Sequence, residues 1–173
     1  MEKVILIKRL TKNAIYLALL CAIGMFAIPL GDNIKVSLQL LIVFIIGLTA
    51  TSFVDTLIVT GLYLGLGMFL PIYAGFHAGI SPTFGYVISF VVISLPLYFL
   101  NKLKIKNDFL RMGLACSVSL IICYVIGTLF LMLYLNLSIE KALLISVVPY
   151  ISFDIAKIII ATLVVNLLPS KYR

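Results

Sequence analysis

The chain alternates long apolar runs with short polar breaks. Six runs can be marked, at about 13–30, 36–51, 55–70, 82–100, 112–135 and 142–168. Apolar residues are continuous within each run. A membrane barrel would instead alternate apolar and polar positions, so the pattern predicts helices. A spanning helix needs about 20 apolar residues, with a range of roughly 17–25, and most of the runs approach that length. The breaks carry ordinary stop and start signals. Residues 29–33 read Pro-Leu-Gly-Asp-Asn, and 51–55 form a tight turn with Asp55 as the expected N-cap. Pro71 ends the third run, and 72–81 is a loop rich in glycine and aromatics. Pro82 suits a first helical turn. Residues 101–111 (NKLKIKNDFLR) are clearly aqueous, 136–141 form a short turn, and the last run bends or restarts at Pro149. The expectation is a single all-α integral membrane domain, residues 1–173, with six transmembrane helices. Residues 1–12 form a short amphipathic lead. A basic start before an apolar run also suits a signal peptide, but the run is long for one and no A-x-A site follows it.

Composition agrees. The chain is 64% hydrophobic and 11% charged, with mean hydropathy +1.27, against about 25% charged in soluble domains. The net charge of +7 could suggest nucleic acid, but its distribution argues against it. Lys3, Lys8, Arg9 and Lys12 precede the first run, Lys102, Lys104, Lys106 and Arg111 lie between the fourth and fifth, and Lys171 and Arg173 close the chain. Only Lys35 and Lys141 fall on the opposite side. This asymmetry orients both termini to the cytoplasm. With no tryptophan in the chain, tyrosines at run ends, Tyr73, Tyr98, Tyr134, Tyr150 and Tyr172, are expected to form the interfacial belt. Cys21, Cys116 and Cys123 all lie in apolar runs without metal-site spacing, so they read as small helix residues.

The stretch 149–161, PYISFDIAKIIIA, places Asp154 and Lys157 inside an apolar run. Each ionised group near the centre of a spanning helix costs about 2.5–3.5 kcal/mol on insertion scales. A surface-type i, i+3 pair returns only about 0.2–0.5 kcal/mol, and a tighter buried pair mainly offsets desolvation. A ligand or ion pathway is the usual reason for such residues. A packing ion pair between helices is the alternative. Asp154 lies about five residues from the outer end of its helix, or roughly 7–8 Å deep, which suits a pocket open to the outside.

Other polar groups gather near that side. Gln39 offers both a donor and an acceptor. Gly85 could admit a ligand or another helix, and Tyr86 supplies an aromatic wall with a hydroxyl. His77 in the outer loop is either solvated or a ligand contact. Together they suit a small organic ligand with an apolar body and a few hydrogen-bonding atoms. No P-loop, zinc-protease or nucleophile-elbow motif is present, and no carboxylate cluster stands ready for a metal. The sequence therefore displays no enzyme chemistry and calls for no cofactor. Ala14, Ala18 and Ala22 form a strip of small residues at i, i+4, i+8 on the first helix, where another helix can approach closely or where the bundle simply packs.

Four stretches resemble a known family. They are Ile28-Pro-Leu30 with Ser37-Leu-Gln39, then 62–75 (LYLGLGMFLPIYAG), then 82–86 (PTFGY), and finally 148–157 (VPYISFDIAK). In order and spacing they are similar to BioY, the biotin-specific substrate-binding (S) component of energy-coupling factor vitamin transporters. The resemblance runs from the first helix to the last. It implies a six-helix S-component fold in a bacterial plasma membrane, with biotin held near the outer face. Asp154 and Lys157 would help hold it, with Gln39, Thr83, Gly85, Tyr86, Tyr150 and His77 around them. It also implies that Ala14, Ala18 and Ala22 dock a transmembrane coupling subunit, and that two cytoplasmic ATPase subunits supply energy. The loop 75–82 is shorter than usual for the family and lacks the arginine of many members, so His77 is the candidate to replace it. Phe84 replaces a common glycine and is expected to narrow the wall. An S component for thiamine or riboflavin is one alternative, and a membrane assembly protein without a ligand is the other.

Overall fold

The computed structural model describes residues 2–29 and 35–169. The expected turn residues 30–33 are outside this range, as are Lys171, Tyr172 and Arg173 at the end of the chain. The described elements run α1 (Glu2–Gly24), β1 (Ala27–Pro29), β2 (Lys35–Ser37), α2 (Gln39–Thr49), α3 (Phe53–Gly67), α4 (Phe84–Val92), α5 (Ser94–Leu100), α6 (Asp108–Leu135), α7 (Ile139–Ser146) and α8 (Ile151–Leu167).

Each boundary has a local cause. The lead 1–12 is helical from Glu2, so α1 begins well before the apolar run. It stops at Gly24, and the chain continues as β1, paired antiparallel to β2 with Ile28 opposite Val36. This two-stranded ribbon of three-residue strands is a minor addition to an otherwise all-helical fold. It also shortens α2 to 11 residues, because 35–37 are committed to the ribbon. Ser52, not Asp55, is the N-cap of α3. Asp55 is its N3 partner in a capping box, its carboxylate accepting from the Ser52 amide at 3.1 Å. Asn107 caps α6 by accepting from the Leu110 amide, so that helix starts ahead of the expected 112. The fourth run is broken at Ile93, where Pro96 has no N–H to donate to the carbonyl one turn back. The sixth run is two helices, α7 and α8, bent by 51° around Pro149.

The helical legs alternate between two ends of the molecule. One end collects Lys12, Thr49, Asn101 and Arg111. The other collects Ala27, Gln39, Tyr73, Thr83, Leu135 and Tyr150. At the first end α1 is fastened to α3: Arg9 Nε lies 2.6 Å and Asn13 Nδ2 2.8 Å from Oδ1 of the buried Asp55. The core holds Leu20, Phe44, Ile46, Tyr63, Ile93, Leu97 and Met112, all essentially inaccessible. Small polar residues join the legs from inside, as where Thr60 meets Ser94 across α3 and α5 at 3.3 Å. The outward faces are apolar too: Ile121, Val125 and Leu133 of α6 are exposed. A helix apolar all round, yet exposed on one side, is built for a nonaqueous surrounding. Of the described helices α6 is long and apolar enough to cross a bilayer alone, and the bent α7–α8 pair would add a second crossing.

Candidate functional site

At the end away from the Arg9–Asp55 fastening the legs diverge around a cavity of about 460 Å³, within the range of roughly 300–1,000 Å³ typical of small-molecule sites. Its walls come from the ribbon, the 68–83 loop, α2, α4, α6, α7 and α8. Gln39, His77, Thr83, Tyr86, Tyr150, Asp154 and Lys157 all line it. His77 and Thr83 are exposed at one extreme, whereas Asp154 and Lys157 are 5% and 7% exposed at the other. The cavity therefore runs from a solvent-facing mouth to a charged inner end.

That inner end follows from the α7–α8 break. Pro149 interrupts the run, and α8 restarts at Ile151 with Asp154 in its first turn. A carboxylate near a helix N-terminus is favoured by the helix dipole, by about 0.3–1 kcal/mol. One turn on, Lys157 Nζ donates to Asp154 Oδ1 at 2.6 Å. The other carboxylate oxygen accepts from the Tyr124 hydroxyl of α6, also at 2.6 Å. Each charge is thus paired, as a buried charge must be. Lys157 still has ammonium hydrogens, and the carboxylate still has lone pairs, with which to meet a ligand.

The contact between α4 and α6 is closed by a reciprocal pair of glycines, and one of them seats Tyr86. Its ring lies so close to Gly127 of α6 that a β-carbon there would come within 2.3 Å of Cε1. Conversely, a β-carbon on Gly85 of α4 would come within 2.3 Å of Phe130 Cβ. Gly85 therefore admits a neighbouring helix and does not line the cavity, which corrects its placement in the site. Phe84 does not narrow the wall either. It belongs to an aromatic row, its ring 6.1 Å from that of Tyr73 and 5.9 Å from that of Phe130. The Tyr86 hydroxyl reaches the Ser146 carbonyl at 3.4 Å, and Thr128 Oγ1 meets Ser146 Oγ at 3.1 Å, which ties α4, α6 and α7 together.

On the opposite wall Gln39 is pre-positioned. Its amide donates to the Tyr63 hydroxyl, which donates to the Ile72 carbonyl at 2.8 Å, and its carbonyl accepts from Ser37 Oγ at 3.3 Å. The mouth is shaped by the turn 73–77, where Tyr73 and His77 exchange backbone hydrogen bonds. The turn takes Gly75 and Phe76 through positive φ, at 77° and 60°, and the Gly75 amide holds the Met25 carbonyl at 2.8 Å. Tyr73 is buried beneath this turn, with its hydroxyl on the Leu64 carbonyl, so it is no part of an interfacial belt. The sequence reading missed Tyr124, Ser37, Ser81 and Ser146 as lining residues. Tyr124 sits mid-run in a 28-residue helix, and nothing in its spacing sets it apart.

A family model described as the BioY family matches residues 1–173. The chain belongs to the BioY family. It is 31% identical over 162 residues to the "Biotin transporter BioY" of Thermotoga maritima, covering 91% of this chain and 93% of that one. It is 31% identical over 162 residues to the "Biotin transporter BioY2" of Lactococcus lactis subsp. cremoris, covering 89% and 86% respectively. Among solved structures it resembles a crystal structure of the S-component for biotin from an ECF-type ABC transporter. The TM-score is 0.81 at 25% identity, over 92% of this chain and 89% of that one. The BioY fold here is thus an S-component fold, and the residues that suggested the family from sequence, 82–86 and 148–157, both border the cavity. BioY is a family of transport components, not of enzymes.

Proposed function

We propose that this protein is the biotin-binding S component of an energy-coupling factor transporter and captures biotin in the cavity between α2, α4, α6 and α8. The observation that carries the reading is the Asp154–Lys157 pair, locked by Tyr124 at the inner end of a largely apolar cavity. Its chemistry matches a ureido ring. The carboxylate can accept from a ureido N–H while the ammonium or the Tyr124 hydroxyl meets the ureido oxygen. Tyr86, Val87 and Phe90 supply the apolar wall a thiophane ring requires. The mouth offers His77, Ser81 and Thr83 to the valerate carboxylate.

We read the six helical legs as six membrane crossings in a bacterial plasma membrane. The short α2 and α3 would be completed by the nonhelical residues of the ribbon and the 68–83 loop. Nonhelical backbone at membrane depth is tolerated where it lines a protein cavity, which is where these segments lie. Lys8, Arg9, Lys12, Lys102, Lys104, Lys106 and Arg111 would then face the cytoplasm with both termini, and the cavity would open outward. Ala14, Ala18 and Ala22 of α1 are exposed, which supports their use in docking a transmembrane coupling subunit that works with two ATPase subunits. The test is thermal stability of the purified protein with biotin, thiamine or riboflavin. Ligand at about 100 times its Kd should stabilise by about 2.7 kcal/mol. A shift with biotin alone is expected, whereas a shift only with another vitamin would overturn the substrate.

A further inference from the structure

A second cavity, of about 520 Å³, opens at the opposite end of the molecule. Three cations from separate parts of the chain line it: Lys12 of α1, Lys102 of the α5–α6 link and Arg111 of α6. Among the described residues no carboxylate lines it. We propose that this cavity binds the phosphate of an anionic phospholipid headgroup at the cytoplasmic leaflet.

The cations have only partial local use. Lys12 Nζ donates to the Thr49 carbonyl at 2.6 Å, near the C-terminus of α2, and has further hydrogens to give. Burial pulls Lys12 below its ordinary pKa, with Asp55 acting in the opposite direction; a bound anion would add to the Asp55 effect. Arg111 Nη1 meets Asp108 at 2.8 Å and its Nε reaches Asn101 Oδ1 at 3.4 Å, which fixes the guanidinium in orientation. Lys102 lies over the Tyr98 ring, 4.2 Å from its centroid, and hydrogen-bonds to the phenol oxygen. Asn101 anchors the link by donating to the Leu48 carbonyl at 2.9 Å. The cavity therefore has a built frame, with positive charge left over once Asp108 is counted.

A headgroup fits better than free phosphate because the rim is apolar. Leu103 lines the cavity and is exposed, and the exposed Phe99 beside Tyr98 stacks on Phe53 at 5.9 Å. Acyl chains would find this surface directly below the phosphate. Basic pockets between helices on the cytoplasmic side suit anionic lipids for the same reason.

The experiment is native mass spectrometry of the detergent-purified protein with short-chain phosphatidylglycerol, phosphatidylcholine or inorganic phosphate. Biotin binding is measured on the same samples, so failure of the biotin reading shows separately. One phosphatidylglycerol should be retained about tenfold more strongly than phosphatidylcholine. Lys102→Gln with Arg111→Gln should abolish that preference, and so should the single Lys102→Glu, whose site is exposed and tolerant. Lys104→Gln with Lys106→Gln on the same link should preserve it. Equal loss in that control, equal retention of phosphatidylcholine, or competition by inorganic phosphate at equal concentration would overturn the assignment. So would Lys102→Glu that blocks coupling-subunit assembly while leaving lipid retention unchanged, since the cations would then serve a protein partner.

Discussion

The Tyr124 hydroxyl and the Lys157 ammonium divide one carboxylate between them: Asp154 Oδ2 accepts from the first and Oδ1 from the second, each at 2.6 Å. A tyrosine of α6 thereby fixes the orientation of a pair that belongs to α8. Tyr124→Phe keeps the ring and removes only this tie. A hydrogen bond to a charged group is worth about 1.5–3 kcal/mol, so biotin affinity should fall by roughly tenfold to a hundredfold while the fold persists. Calorimetric titration checks this, and unchanged affinity would remove Tyr124 from the site.

The pair itself can be tested in two steps. Asp154→Asn leaves a buried ammonium without its counter-charge, a change that costs about 3–5 kcal/mol. The double variant Asp154→Asn with Lys157→Met removes both charges and should recover most of that stability, because apolar replacement of a buried pair is often neutral. Neither variant should bind biotin. Thermal melting with and without ligand separates the effects. If the double variant melted as low as the single one and still bound biotin, the pair would be structural.

Two glycines should respond in opposite directions to the same change. Gly127→Ala drives a methyl into the Tyr86 ring and should destabilise by about 1–3 kcal/mol, with a loss of biotin affinity as the ring is displaced. Gly61→Ala, in mid-α3 with nothing near its added carbon, should stabilise by about 0.5–1 kcal/mol. Melting temperatures of the two variants decide the matter.

On α1 the exposed alanines offer a clean separation of functions. Ala18 is not among the residues that line the cavity, so Ala18→Trp should leave biotin binding unaffected. Copurification with the coupling subunit should be lost. Normal assembly by this variant would refute the docking face.

Much of this was legible in the chain. Asp154 and Lys157 stand out because a charge in an apolar run has an energetic cost that local structure cannot offset. Pro149 marks a real break because a missing N–H acts wherever it falls, whereas the break ahead of Pro96 was hidden inside an apolar run read as continuous. The β1–β2 ribbon was not legible, since three-residue strands carry too little pattern to compete with a neighbouring apolar run. Gly85 was ambiguous for another reason: a missing side chain serves a ligand or a helix equally, and only the partner, Phe130, decides which. Tyr124 was invisible because its role depends on which face of α6 meets α8. Asp55 was placed near the right helix start but given the wrong position, because a capping box has two polar members and the spacing alone favoured the later one.

The mutual neutralisation of Asp154 and Lys157 has a consequence for the membrane potential. An empty cavity whose charges cancel contributes no net charge to any motion across the field, whereas a lone ion would meet about 2.3 kcal/mol per elementary charge per 100 mV. A monoanionic ligand would therefore add one negative charge to a site whose own pair contributes none, so the charge at the inner end is set by what the cavity holds.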